Sequence, residues 1–268
     1  MCKGKKDMNI TVLMSTMKKN SIDELELKRK NIKNCIIVNQ TSKQMAPEKK
    51  DKSCMLAYDE KGLSKSRNRL IENCIEDTDI GIITDDDVSF VEDYDRIVEK
   101  AYQEIADADI IVFKSLDENG KPRKKYLDNN KKLKKFDLLS VCSIEITFKV
   151  NSIKNKVRFD EKFGLAAIYK SGEENVFLEE CRRKGLKIYF YNQFINIHPT
   201  ESTGTSKWGK NDIYDKGALF KKIFPVMSYF IVIPICILKK ENLEIGILQA
   251  IKTMYKGMYE YTKMVKKK

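Results

Sequence analysis

Three adjacent carboxylates close a short apolar run, Ile82-Ile83-Thr84-Asp85-Asp86-Asp87-Val88. Neighbouring unpaired charges are too costly to bury in a core, whereas the C-terminal ends of strands in an open α/β sheet are where ligands bind. Hard divalent cations take oxygen ligands, and Mg²⁺ or Mn²⁺ held by one or two carboxylates also binds substrate phosphates. The run therefore reads as a metal and phosphate site, and the alternative is an acidic turn capping the next helix through Asp87 or Ser89. Upstream, Gly62-Leu63-Ser64-Lys65-Ser66-Arg67-Asn68 places a lysine, an arginine and two hydroxyls at the start of an expected helix. Free backbone N–H groups and the helix dipole favour anions there. Ser64 alone is equally an N-cap; taken with the aspartates, the segment offers phosphate donors beside a metal cage.

The elements that must position these groups alternate short apolar runs with longer amphipathic ones. Ile10–Met14, Cys35–Val38, Ile80–Ile83 and Ile110–Phe113 read as buried strands. Gly62–Cys74 reads as a helix with Leu63, Leu70, Ile71 and Cys74 on one face, and Tyr94, Ile97, Val98, Ala101, Tyr102 and Ile105 fall at helical spacing. This β-α-β alternation predicts an α/β fold with a mostly parallel central sheet flanked by helices. Lys121–Lys135 holds eight basic residues, an Asn-Asn pair and a proline. It reads as an exposed loop or insertion, either solvated or gripping an acidic acceptor. Glu145–Val150 is strand-like, Gly172–Lys184 helical, and Lys187–Tyr191 a further strand.

The Gly-Leu-Ser-x-Ser-Arg-Asn run, a helix, and a hydrophobic strand ending in Asp85-Asp86-Asp87 together resemble the family 2 glycosyltransferases. The similarity is to bacterial members that assemble capsular or cell-surface polysaccharide, and it covers residues 8 to 205. It implies the GT-A fold, with a nucleotide-sugar site built from Ser15, Thr16 and Met17 after the first strand and Asn39 and Gln40 after the second. It also implies that Lys65 and Arg67 help hold the nucleotide, and that Asp85 and Asp86 bind the nucleotide-sugar within a DxD motif. Asp85, Asp87 and His198 would then form the metal site for Mn²⁺ or Mg²⁺. A UDP-sugar is the favoured donor, but the acidic residue usual after the second strand is replaced by Asn39 and Gln40, which leaves the base preference open. Phe159-Asp160-Glu161-Lys162-Phe163-Gly164, followed by Ser171-Gly172-Glu173-Glu174-Asn175, resembles the family segment that carries the general base. Spacing from Leu178 puts Asn175 at the base position, and spacing from Phe177 puts Glu174 there. An amide cannot take a proton, so Glu174 is the expected base and Glu173 the second choice; both otherwise cap a solvated first turn. By the same resemblance Ser202-Thr203, after His198, belong to an acceptor-side loop. Trp208 either stacks on a sugar ring or sits in a core.

The whole chain has 268 residues, 42% hydrophobic and 34% charged, which suits one globular domain with an appendage. The expected division is a GT-A domain over 1–205 and a basic amphipathic helical region over 206–268. The net charge is +12, of which residues 207–268 hold +8 from thirteen lysines and five acids. The remainder is nearly balanced, unlike a domain built wholly for nucleic acid. Seven scattered cysteines without a CxxC pair signal neither a zinc ribbon nor a disulfide framework. Met1–Lys6 has no apolar core of a signal peptide, so a cytoplasmic protein is expected. Ile223–Leu238 is apolar for 16 residues between lysine pairs and contains Pro225 and Pro234, shorter than the roughly 20 residues of a membrane span. Ile247, Leu248, Ile251, Met254, Tyr255 and Met258 then form an apolar stripe flanked by lysines. Such a tail predicts peripheral association with the inner face of the cell membrane; a helical pair packed on the main domain, or a homo-oligomer contact, is the alternative. A lipid-linked or oligosaccharide acceptor follows from the resemblance. Outside it stand a nucleotidyltransferase on a similar sheet and a non-catalytic nucleotide- or nucleic-acid-binding protein.

Overall fold

The computed structural model describes residues 8–74, 77–199 and 207–266. Ser202-Thr203 lie outside the described residues. Strands β1 (Ile10–Met17), β2 (Cys35–Gln40), β3 (Glu48–Lys50), β4 (Ser53–Tyr58), β5 (Ile80–Asp85) and β6 (Ser89–Phe90) come from the first third of the chain. They are followed by β7 (Ile110–Leu116), β8 (Lys131–Lys132), β9 (Ile146–Lys149) and β10 (Ile188–Ile197). The sheet runs β3-β4-β2-β1-β5-β9-β7-β10-β6, with β8 also paired to β10. The expected parallel strands are present as β4-β2-β1-β5 and β7-β10, while β9 runs antiparallel between β5 and β7.

Helices cover both faces. On one side α1 (Leu63–Glu72) and α4 (Glu173–Arg183) place Leu70, Ile71, Phe177 and Leu178 against Leu13, Ile36 and Ile83. On the other, α2 (Tyr94–Glu104) buries Tyr94, Val98, Ala101 and Tyr102 against Val12, Met14 and Ile37. A short α3 (Val150–Ile153) follows β9. Gly81 stands inside β5 for a steric reason: a Cβ there would lie 2.8 Å from Leu13 Cδ1 and 3.1 Å from the Phe148 ring.

Strand β4 has no counterpart in the expectation. Its sequence, Ser-Cys-Met-Leu-Ala-Tyr, has no β-branched residue and follows the charged stretch 48–52, so propensity gives no signal. Neighbour pairing on β2 makes it a strand. The basic insertion is likewise more structured than an exposed loop. Tyr126 Oη donates to Glu145 Oε1 at 2.8 Å, Lys124 Nζ reaches Glu145 Oε2 at 2.7 Å, and β8 pairs with β10.

The C-terminal region forms three helices rather than a pair: α5 (Lys210–Ile223), α6 (Ser228–Leu238) and α7 (Ile247–Lys266). They share a core with Phe163, Tyr169 and Val176 of the preceding region. Helices α5 and α7 meet backbone to backbone. A Cβ on Gly217 would stand 2.1 Å from the Met254 carbonyl oxygen, and one on Gly257 2.0 Å from that of Tyr214. Only glycine permits that approach. Among the described residues, no helix is long and apolar enough to cross a membrane.

Candidate active site

Parallel pairing of β1 with β2 and β5 sets the site. Register places Ser15 beside Asp85, Thr16 beside Asn39 and Met17 beside Gln40, so the polar ends of three apolar strands coincide. They open into a cleft of about 450 Å³ lined by Ser15, Thr16, Met17, Gln40, Asp85, Asp86, Asp87 and His198, with Gly62, Leu63, Ser66, Leu165 and Ala166. The structure thus brings together most of the expected residues. Asn39 is buried behind the cleft, where its side chain bonds Lys19 N–H at 3.1 Å and Lys19 C=O at 2.8 Å and fixes the turn after β1. Lys65 lines a neighbouring pocket of about 320 Å³ with Lys61 and Glu161.

The polar face of α1 works inward. Ser64 Oγ donates to Phe163 C=O at 2.6 Å, Ser66 Oγ to Ser15 Oγ at 2.9 Å, and Asn68 bonds both backbone groups of Phe159. The Leu63 N–H is taken by Leu165 C=O at 3.0 Å. The helix start that the sequence suggests as an anion cradle therefore spends its groups tying β1 and the 159–165 segment together. Gln40 adds a two-way clamp on Gly62, donating to its carbonyl at 3.1 Å and accepting from its N–H at 3.2 Å.

Arg67 is the hub. Only 1% exposed, its guanidinium reaches Glu173 Oε1 at 2.8 Å and Asp85 Oδ1 at 3.3 Å, and stacks over Phe159. Burial opposes its charge, but Asp85, Glu173 and Glu174 outweigh that and hold the guanidinium above its ordinary pKa range. One cation thus joins the aspartate run at the end of β5 to the acidic start of α4.

The two glutamates at that start differ. Glu173 is buried and paired with Arg67. Glu174 is half-buried, and desolvation together with the adjacent Glu173 charge pushes its carboxyl up to about 8. Asn175 is buried and donates to Leu138 C=O at 2.9 Å and Val141 C=O at 3.1 Å, so its amide is taken up by the backbone of the preceding segment. From α5, Lys216 acts electrostatically on Glu174 and lies 4.3 Å over the Trp208 ring, its pKa lowered by burial.

The aspartates divide the work. Asp86 accepts from Thr16 Oγ1 and lies 3.9 Å from Lys19 Nζ. Asp87 Oδ1 lies 3.6 Å from His198 Nε2. His198 Nδ1 contacts Pro199 C=O at 2.8 Å; a carbonyl only accepts, so Nδ1 is the donor in this contact and Nε2 is the ring nitrogen that faces Asp87. Two Lewis bases then face each other across a gap, a donor set that fits a Mn²⁺ or Mg²⁺ ion completed by substrate phosphates. The expected three-residue metal set is nevertheless split, because Asp85 is engaged by Arg67. Among the described residues, no three acidic, histidine or cysteine groups gather to hold an ion by themselves.

Sequence reasoning missed two contributors. Leu165, 53% exposed, and Ala166, at φ 61°, form an apolar lip on the cleft. Their Gly164-flanked loop carries no polar signal. Lys216 is missed because nothing in its local sequence links it to a glutamate on another helix.

No known protein family and no curated protein matches this sequence. Among solved structures, the chain is similar to residues 1–349 of S. aureus TarS, with a TM-score of 0.59 and 12% identity over 96% of this chain and 73% of that one. TarS in complex with UDP-GlcNAc matches with a TM-score of 0.59 and 12% identity over 95% of this chain and 72% of the other. GalNAc-T7 with UDP, GalNAc and Mn²⁺ matches with a TM-score of 0.55 and 9% identity over 98% of this chain and 57% of that chain. The chain has the GT-A fold.

Proposed function

We propose that the protein is a metal-dependent, inverting glycosyltransferase that moves a sugar from a nucleoside diphosphate sugar to a hydroxyl acceptor. The observation that carries this proposal is the cleft at the ends of β1, β2 and β5, behind which the buried Arg67 ties the cleft residue Asp85 to Glu173, the neighbour of a proton-affine Glu174. The fold shared with proteins solved with UDP-GlcNAc and with UDP and Mn²⁺ supports a UDP-sugar as the donor to test first. Asp87 and His198 would hold Mn²⁺ or Mg²⁺ together with the donor diphosphate, and the ion would supply charge neutralisation of the leaving group.

The remaining steps belong to the chain. Ser15, Thr16, Gln40 and Asp86 line the nucleotide side of the cleft, with Thr16 and Lys19 orienting Asp86. Glu174 takes the proton of the acceptor hydroxyl as its oxygen attacks the anomeric carbon, and the pair of electrons leaves with the diphosphate. A carboxyl tuned toward neutral pH is matched to that task. Direct displacement by the acceptor inverts the anomeric centre. From the C-terminal side, the Lys216 charge favours the Glu174 carboxylate that must be present before it takes the proton, next to Trp208, whose ring offers a stacking face to a sugar. A hydroxyl on an oligosaccharide or lipid-linked saccharide is the acceptor class, as in family 2 enzymes of surface polysaccharide synthesis.

The test is nucleoside diphosphate release from a panel of nucleotide-sugars, with Mn²⁺ or with EDTA, in wild type and Asp87→Ala. The expected result is release from one donor that needs both the metal and Asp87. Release of pyrophosphate from nucleoside triphosphates instead would assign a nucleotidyltransferase.

A further inference from the structure

Helix α6 is apolar around its whole circumference, yet only one stripe of it is covered. Ser228, Val232 and Cys236, spaced four residues apart, face α5 and α7 and are buried. The opposite side is open: Phe230 is 74% exposed, Ile233 45%, Ile237 53% and Leu238 79%, with Val226 at 73% just before the helix. Phe230, Ile233 and Ile237 stand at i, i+3 and i+7, so they share one face. A water-facing helix of this kind is not what a soluble monomer displays.

Charge identifies the covering partner. From Lys216 to Lys240 every charged residue is a lysine, and the pairs Lys221-Lys222 and Lys239-Lys240 bracket the apolar stretch. Lys239 and Lys240 are exposed, and Lys221 Nζ packs 4.1 Å over the Tyr229 ring beside the patch. On α7, Lys252, Lys256, Lys263 and Lys266 are also exposed. A second copy joined through a two-fold axis would set this lysine-bracketed face against itself, whereas an anionic surface complements it. At 11 residues α6 measures about 16 Å, far short of the roughly 30 Å hydrocarbon core, so it suits the plane of an interface and not a span.

The geometry points to α6 as an in-plane anchor that seats the protein on an anionic lipid bilayer, with Phe230, Ile233, Ile237 and Leu238 in the acyl boundary and the bracketing lysines on the headgroups. This surface is independent of the glycosyl-transfer proposal, because neither nucleotide nor metal takes part in it. Long lysine stems reach headgroups while leaving the apolar face inserted.

The test is sedimentation of the full chain with vesicles of phosphatidylcholine alone or with phosphatidylglycerol, without nucleotide. Binding is expected to the anionic vesicles only and to weaken with salt. Phe230→Glu with Ile237→Glu should lower it at least about tenfold, and Lys239→Gln with Lys240→Gln about fivefold per lysine. If the glutamate pair fails to fold, judged by its melting curve, the lysine pair still decides the matter, since both side chains are exposed at a helix end. Equal binding to neutral vesicles would overturn the anionic assignment. Failure to bind either vesicle, or a concentration-dependent dimer abolished by Phe230→Glu, would overturn the anchor.

Discussion

Helix α1 holds the segments that carry the cleft through polar side chains, whereas the closest approach of α5 to α7 is through two glycines. Ser64, Ser66, Arg67 and Asn68 each form directional bonds to segments that carry the cleft. Gly217 and Gly257 contribute nothing but the absence of a side chain, which lets two backbones touch. Directional bonds fix atoms to fractions of an ångström, which a site aligning carboxylates requires. Shape-dependent packing fixes a layer without specifying any polar atom, which suffices for helices whose task is to support α4 and present a surface. The two modes meet at Gly172, where a Cβ would stand 2.7 Å from Leu219 Cδ2, at the start of the helix that bears Glu173 and Glu174.

Breaking the polar region at its hub should have the largest effect. Arg67→Met leaves Glu173 buried without its cation, an arrangement that costs about 3–5 kcal/mol, and turnover falls with stability. Adding Glu173→Gln removes the stranded charge, and a double-mutant cycle on urea unfolding should recover most of the loss. Independent losses that simply add would deny the hub.

Glu174→Gln separates chemistry from stability. Turnover should drop by about 10²–10⁴-fold, the range of a lost general base. Between the ordinary carboxyl value of 4.5 and about 8 the folded state keeps a proton that the unfolded chain has released, so this group's contribution to stability declines as pH rises through that window. The amide variant should therefore melt above wild type at pH 9 and level with it at pH 5. In wild type, kcat/KM should rise with pH to a plateau above pH 8.

In the glycine-packed layer, Gly217→Ala drives a methyl into the Met254 carbonyl and should cost about 1–3 kcal/mol. Nucleotide binding should survive, because the cleft is held by α1. A fall in nucleotide affinity as large as the fall in stability would show that the two regions are not separable in this way. Ser66→Ala is the mildest change, at about 0.5–1.5 kcal/mol for its bond to Ser15.

The strand β5 and its terminal aspartates were legible because an apolar run ending in three carboxylates has few physical interpretations. The same holds for α2, whose spacing is strongly periodic. Strand β4 was not legible, since its residues lack intrinsic strand preference and pairing alone decides it. The Gly62–Asn68 motif was visible as a site element, but its direction was not: the sequence shows which groups are present and not whether they face a ligand or the interior. Asn175 illustrates the same limit, for nothing in its local sequence shows that its amide is spent on the Leu138 and Val141 carbonyls. Asp87 and His198 are far apart in sequence, and composition holds no trace of their approach; only the family resemblance grouped them.

The most direct test is calorimetric titration of UDP with Mn²⁺ into wild type, Asp87→Ala and Glu174→Gln, alongside turnover of the donor that the nucleotide-sugar panel identifies. Asp87→Ala should lose metal-dependent binding, while Glu174→Gln should bind as wild type does and fail to turn over. Wild-type binding by Asp87→Ala, or wild-type turnover by Glu174→Gln, would contradict the assignment of the cleft.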